Sequence, residues 1–494
     1  MSQSRIYIEK KMSKGEAIYG VNTGFGAFAT TRISLEDIES LQRNLIRSHS
    51  VGVGPLFDPE QVRAMLLLRA NALATGLSGV RTDICELLLA VFNAGLVPAI
   101  PQQGSVGASG DLAPLSHLAL ALIGEGEFLH PDDVRLWRST QVSRRDEIGL
   151  RRIPAADALQ QAGLKPLRLQ AKEGLSLING CQVMTAVGLL SLARASRLLK
   201  LADLAGAMTL EAVRGSRSAF DPLITAARPH PGEAVTARNL LRVLGSKSEI
   251  STSHESCGRV QDAYSLRCMP AVHGAARDAL KRAIDVLEVE ANSSTDNPLV
   301  FAEADKILSC GNFHGEPVAM SLDFAAIAVA EIGNISECRI EKLINPAMSG
   351  LPAFLAPNGG LNSGHMITQV AAASLVSENK GLCHPASVDS IPTSADKEDH
   401  VSMGTIAARK FERVVSNVER VLAMELLVAA QGLDLLAPLR PAAGVALAHE
   451  AIRKVAPFAR EDRVFGRDIH AVLDLVNSGD LLADLERQLG NLEN

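Results

Sequence analysis

Aromatic side chains are scarce in this 494-residue chain: 3% of the residues, with one tryptophan and three tyrosines. Sandwiches and barrels draw on aromatic and β-branched residues, so a chain poor in the former and rich in Ala and Leu predicts long packed helices instead. Cysteine pairing is missing as well. The seven cysteines are scattered, odd in number and never spaced Cys-x-x-Cys, which excludes a disulfide framework and fits free thiols in a reducing cytosol. The net charge of −6 is built from interspersed charges with no Lys/Arg block, so nucleic acid is not an expected partner. The segment Leu87–Gly110 carries no charge, but Pro and Gln break it and its purely apolar part is too short for a bilayer; no membrane partner is expected. There is no Gly-x4-Gly-Lys phosphate loop. His254, Glu255 and Cys257 lie close together without zinc spacing, and no metal site is expected. The N-terminal Met-Ser-Gln-Ser-Arg lacks the apolar core of a signal peptide, so the expected location is cytoplasmic.

What is present is helical periodicity. A chain of this length buries a large core without staples. Leu35, Ile38, Leu41, Leu45 and Ile46 fall on one helical face, with Ser34 as cap and Asp37 three residues on. Residues 59–80 and 83–100 read as further helices. The stretch 182–213 is apolar all round, which marks a buried helix. Residues 272–291, 317–344, 362–382 and 404–431 repeat the pattern; Val414, Val415, Val418, Val421 and Leu422 share a face. Helices near thirty residues are about 45 Å long and predict a mainly α fold with a long central up-down bundle. Strands should be short and few. Residues 1–18 are polar and predicted helical near their end, and 130–152, with Trp137, reads as an exposed excursion. The expected division is an N-terminal catalytic part, 1–180, and a bundle with C-terminal helices, 181–494.

One string organises the rest: Gly104-Ser-Val-Gly-Ala-Ser-Gly-Asp-Leu-Ala-Pro-Leu-Ser-His117, centred on Ala108-Ser109-Gly110. Composition alone reads as a tight turn or an anion-binding loop at a helix N-terminus. The full string resembles the cofactor-forming segment of the methylideneimidazolone-dependent ammonia-lyases and aminomutases of histidine and aromatic amino acids. That resemblance implies an ammonia-lyase/fumarase-like superfold. It also implies that Gly110 N attacks the Ala108 carbonyl and that two waters leave, giving 4-methylideneimidazol-5-one with no separate cofactor. The residue types suit this: an unhindered nitrogen at Gly110, a leaving hydroxyl at Ser109, a small flank at Ala108.

Other strings match the same family: Tyr19-Gly-Val-Asn-Thr-Gly-Phe-Gly26, Asn179-Gly180, Arg259 to Cys268, Gly311 to Pro317, Gly359 to Lys380, and His384 to Gly404. The resemblance makes Tyr19, on a lid loop, the base that takes the β-proton. A tyrosine's ordinary pKa is about 10, so positive charge and helix N-termini are expected to lower it. Arg267 is implied to hold the substrate carboxylate as a planar fork. Asn179 assists at the carboxylate or amine, Tyr264 and Gln261 lie near the electrophile, and Phe313 packs on the ring system. Gln261, Tyr264 and Arg267, at i, i+3 and i+6, fall on one side of a helix or helical turn.

Ser48-His49 resembles the histidine-acting members, and so does Glu398, a carboxylate suited to accept an imidazole N–H. The family reads Asn-Gln before that glutamate where this chain has Asp396-Lys397; Lys397 either pairs with Glu398 and weakens its grip or points to solvent. The implied reaction is non-oxidative deamination of L-histidine to trans-urocanate and ammonia. The alternatives are a 2,3-aminomutase, a lyase on tyrosine or phenylalanine, and an inactive scaffold. Because these motifs are far apart in sequence, and because family members are homotetramers, the expectation is a tetramer with sites shared between subunits, Tyr19 and Ser109 included.

Overall fold

Five long helices, Gln182–Ala212, Met269–Ala291, Glu316–Ile344, Met366–Leu382 and Gly404–Asp434, form the centre of the computed structural model. The structure describes residues 1–494, the side chain of Ala27 excepted. Met184, in the first turn of one helix, lies against Gly315 and Gly404 at the starts of two others, so these three begin at the same end of the bundle. Met269 instead starts beside Gly206, and Leu287 reaches Gly188, so the 269–291 helix runs the opposite way. The result is the expected mainly α, up-down bundle.

Leu, Val and Ala around the whole circumference bury the 182–212 and 404–434 helices almost completely. Buried ion pairs fix how they align. Glu425 accepts from Arg339 Nε at 2.6 Å and Nη2 at 2.8 Å, from Ser336 Oγ at 2.6 Å and from Thr209 Oγ1 at 2.7 Å, joining three helices. Removing one partner from such a fully buried pair costs about 3–5 kcal/mol. The Glu316–Ile344 helix is long and apolar enough to cross a bilayer, but it packs within this bundle against 269–291 and 404–434.

The strands are six segments of three or four residues, paired into three antiparallel two-stranded sheets among the described residues. The helices read at 59–80 and 83–100 are shorter, Pro59–Ala74 and Thr82–Asn93, each ending just before a glycine turn. Two expectations need correction. The N-terminal helix is Ser2–Ser13, at the start of its segment, because Tyr7 and Ile8 pack into a small cluster with Ile18, Val21 and Ile38. The 130–152 stretch is not wholly exposed: Pro131–Ser139 is a helix whose Val134 and Trp137 are buried, with the Arg145 guanidinium 4.0 Å from the Trp137 ring centroid.

Candidate active site

The Ala108-Ser109-Gly110 loop is held from both sides by backbone. Asp111 N donates to Gly180 O at 2.7 Å, and Gly110 pairs with Gly180 in a parallel bridge. On the other side Met403 N donates to Val106 O at 2.9 Å and Ser402 Oγ to Gly107 O at 3.2 Å. Gly110 has φ +76°, and a Cβ there would sit 2.2 Å from Gly180 O. Gly180 is equally constrained, since its Cβ would lie 2.4 Å from Arg69 Nη1. The tripeptide thus sits in a tight turn whose position 110 accommodates only glycine.

Asp111 anchors this turn to the bundle. Its Oδ2 accepts from Val183 N at 2.9 Å and Met184 N at 3.0 Å, and Oδ1 from the Thr405 hydroxyl. Burial pushes its carboxyl up to about 6 against the pull of those donors. Helices starting at Leu112, Gln182, Glu316 and Gly404 therefore converge here. Their N-terminal ends carry partial positive charge, which favours anions.

A cavity of about 990 Å³ opens over the loop, lined by Tyr19, His49, Ala108, Ser109, Asn179, Phe313 and Glu398. Every one of these was singled out from sequence, and one chain brings them together. Ser109 Oγ donates to Glu398 Oε1 at 2.7 Å, while Glu398 Oε2 accepts from Thr393 Oγ1 at 2.8 Å and Ser394 Oγ at 2.6 Å. Lys397 lines the cavity and makes no ion pair with Glu398 among the described residues, so of the two alternatives the pairing is not formed.

Asn179 is fully sequestered. Arg69 Nη1 holds its backbone carbonyl at 3.1 Å, and its Nδ2 donates to Asn297 O at 3.2 Å. Its Oδ1 is buried without a partner. An orphaned acceptor in a cavity wall is a costly feature that an incoming N–H satisfies. His49 Nδ1 binds Leu45 O at 2.8 Å within its own helix. Phe313 is half-buried, with its carbonyl accepting from Cys181 Sγ at 3.0 Å. Tyr19 is half-buried on its loop, edge-on to Phe25. Burial raises its hydroxyl above the ordinary 10.0; the Gly26 backbone bond opposes this and the Glu398 carboxylate adds to it. The expected lowering is therefore not supplied within one chain.

Gln261, Tyr264 and Arg267 stand apart from this cavity. The helix holding them is only Tyr264–Arg267, and Gln261 precedes it. They do contact one another: Arg267 Nη2 donates to Gln261 Oε1 at 3.2 Å and the guanidinium lies 4.5 Å from the Tyr264 ring centroid. Tyr264 is 72% exposed. Gln261 and Arg267 border a separate cleft of about 430 Å³. The chain brings together one further set that its sequence does not announce. His314, Glu316 and His400 place their donor atoms within 4.8 Å of one another, and the two histidines line the cavity, although His400 is remote in sequence.

The geometry agrees with the comparisons. The family model for aromatic amino acid lyases matches residues 1–454. The chain is 57% identical over 482 residues to a histidine ammonia-lyase of Sorangium cellulosum (strain So ce56), covering 96% of this chain and 90% of that protein. A histidine ammonia-lyase of Gloeobacter violaceus is 53% identical, with 99% and 92% covered. Among solved structures, histidine ammonia-lyase from Trypanosoma cruzi superposes with TM-score 0.88 at 46% identity, over 98% of this chain and 88% of that one. Tyrosine aminomutase from Streptomyces globisporus superposes with TM-score 0.90 at 38% identity, over 99% and 93%. With the family model matching residues 1–454 and relatives above 50% identical over nearly the whole chain, the chain belongs to the aromatic amino acid lyase family.

Proposed function

We propose that this chain is a carbon–nitrogen lyase that deaminates L-histidine to trans-urocanate and ammonia. The observation that carries the reading is the convergence of seven sequence-marked residues on one cavity, with Asn179 Oδ1 left without a partner and Glu398 bonded to Ser109. Ala108-Ser109-Gly110 is the segment assigned to self-cyclisation, with Gly110 N bonding to the Ala108 carbonyl carbon and two waters leaving. The resulting methylideneimidazolone supplies an electrophile that improves the leaving ability of the substrate amine.

The remaining steps belong to the chain's own side chains. Loss of the Ser109 hydroxyl as water frees Glu398 Oε1, which then faces the cavity as an acceptor for the imidazole N–H. Asn179 Oδ1 accepts from the substrate amine, and Phe313 closes the apolar side. His49 borders the imidazole end. Tyr19 Oη takes the β-proton. Burial and Glu398 raise the Tyr19 pKa, and the Arg267 guanidinium of another copy is assigned to lower it.

The proposal extends to assembly. Gln261 and Arg267 border a separate cleft, and with Tyr264 they are assigned to the cavity of a second copy, with Arg267 gripping the substrate carboxylate. Met320, Phe324 and Ile327 expose an apolar stripe at i, i+4 and i+7 on the Glu316–Ile344 helix, suited to burial between copies. We assign a homotetramer, the closed symmetry usual for such assemblies. Because Tyr19 and Ser109 line one cavity, the expectation that they come from different chains is withdrawn. Mixed Tyr19→Phe and Arg267→Gln variants should regain activity through hybrid sites, whereas Tyr19→Phe mixed with Ser109→Ala should not.

The test of the reaction is purified protein with L-histidine, followed by urocanate absorbance, beside L-phenylalanine and L-tyrosine, and with intact mass read for the loss of two waters. A β-amino acid as product would make the chain an aminomutase. A mass without that loss would leave an uncyclised scaffold.

A further inference from the structure

The geometry points to a divalent transition-metal site in the wall of the same cavity, built from His314, Glu316 and His400. Two observations carry it beyond the proximity of three donors. First, His314 Nε2 lies 3.2 Å from the His400 carbonyl oxygen. A carbonyl only accepts, so Nε2 carries the proton and Nδ1 is left with a free lone pair. Metal-binding histidines are oriented in this way, with the second ring nitrogen donating to a backbone carbonyl. Second, Glu316 Oε2 is buried without a hydrogen-bond partner, and no Lys, Arg or His pairs with Glu316 among the described residues. A sequestered carboxylate oxygen with no donor calls for a cation.

The His400 ring completes the set. It lies parallel to His314, with centroids 5.6 Å apart and 9° between planes. The donor atoms all lie within 4.8 Å of one another, so modest side-chain rotation brings each to the roughly 2.0–2.2 Å that nitrogen and carboxylate ligands adopt around zinc. Two imidazoles and one carboxylate select a borderline ion such as Zn²⁺, Co²⁺ or Ni²⁺ over Mg²⁺ or Ca²⁺. Three protein ligands leave a coordination position open, and His314 and His400 both line the cavity, so that position faces it.

The ligands come from two loops. His314 and Glu316 follow Phe313 at the start of the Glu316–Ile344 helix, and His400 follows Glu398 just before the Gly404–Asp434 helix. An ion here ties the loop bearing Phe313 to the loop bearing Glu398. It thereby fixes the spacing of the two side chains that border the amino acid side chain. Glu316 occupies the first position of its helix, and its carboxylate offsets the positive helix end that would otherwise repel a cation.

The test uses the full-length oligomer, stripped by chelator dialysis and titrated without substrate, so it stands or falls separately from the lyase reading. Co²⁺ is followed by its visible absorption and Zn²⁺ by calorimetry in a non-coordinating buffer. One ion per chain is expected, with a rise in Tm that chelator reverses. His314→Gln, Glu316→Gln and His400→Gln should each weaken binding at least tenfold, with folding checked by circular dichroism and any one folded variant sufficient. The proposal is overturned if wild type takes up no stoichiometric ion, as would follow if a cation of a second copy satisfies Glu316. It is overturned equally if the folded variants bind as tightly as wild type, which would put the ion elsewhere, for instance on the exposed thiols of Cys257 or Cys338.

Discussion

Replacing Glu398 by Gln isolates the one carboxylate proposed to recognise imidazole. In the structure Oε2 is engaged by the Thr393 and Ser394 hydroxyls, and Oε1 faces Ser109. With the Gln oxygen in the place of Oε2, accepting from the same two hydroxyls, its NH₂ faces the cavity. The imidazole N–H then meets a donor in place of a charged acceptor. A hydrogen bond to a charged group contributes about 1.5–3 kcal/mol, and mispairing takes the upper part of that range. At 1.4 kcal/mol per decade, a loss of about 2–3 kcal/mol lowers kcat/KM for histidine by roughly 30- to 150-fold. The inhibition constant of imidazolylpropionate should weaken by a similar factor, while that of phenylpropionate, which has the same carboxylate and no ring N–H, should change by less than about threefold. Intact mass is measured first, since Glu398 also holds the Ser109 hydroxyl that cyclisation removes. Fully cyclised protein that loses equal affinity for both inhibitors refutes a role in imidazole recognition and assigns Glu398 to the shared chemistry.

Gly110→Ala should fold, by circular dichroism, yet fail to lose two waters, because a Cβ would sit 2.2 Å from Gly180 O; normal cyclisation would show that the turn yields. Tyr19→Phe should lower turnover by about 10²- to 10⁴-fold, the usual contribution of a general base, with little change in Tm because the residue is on a half-buried loop; near-normal turnover removes it from the base role. Asn179→Ala should lower kcat/KM for histidine by more than tenfold without preventing cyclisation, since its unpartnered Oδ1 is assigned to the substrate amine; an unchanged kcat/KM would refute that contact. Asp111 gives a pH test. Burial raises its folded pKa from 3.8 to about 6, so the stability associated with its protonated form is full below about pH 4 and is lost as pH rises through 6. The shift corresponds to about 3 kcal/mol. Asp111→Asn should therefore gain on wild type in urea midpoint as pH rises from 4 to 7, and a gap independent of pH would contradict it.

Much of this architecture was legible because it is local. The 182–213 and 404–431 patterns repeat an apolar face over many turns, and both helices lie within a few residues of those limits. The N-terminal helix was misplaced for the opposite reason. Its mean pattern is polar, and its fixing contacts are distant: Arg5 Nη2 to Gln170 Oε1, 165 residues away, and Tyr7 Oη to Asp305 Oδ1, 298 residues away. Trp137 is buried within a stretch whose charge reads as solvated, with the Arg145 guanidinium over its ring.

The site divides along the same line. Tyr19, Ser109, Asn179 and Glu398 could be named because the strings that hold them resemble those of the family. What the strings could not convey was membership of one cavity. Helix starts at 112, 182, 316 and 404 meet at one end of the bundle, so loops far apart in sequence arrive there together, and Tyr19 and Ser109 share one chain. The short Tyr264–Arg267 turn instead points its residues away from that end. A single chain consequently presents the Ala108-Ser109-Gly110 loop, the Tyr19 loop and Glu398 at one cavity, with Lys397 in its wall and Arg267 outside it. The bundle thus assembles this much of the site by itself, and the contribution proposed for Arg267 of a second copy is the part that the hybrid-site experiment tests.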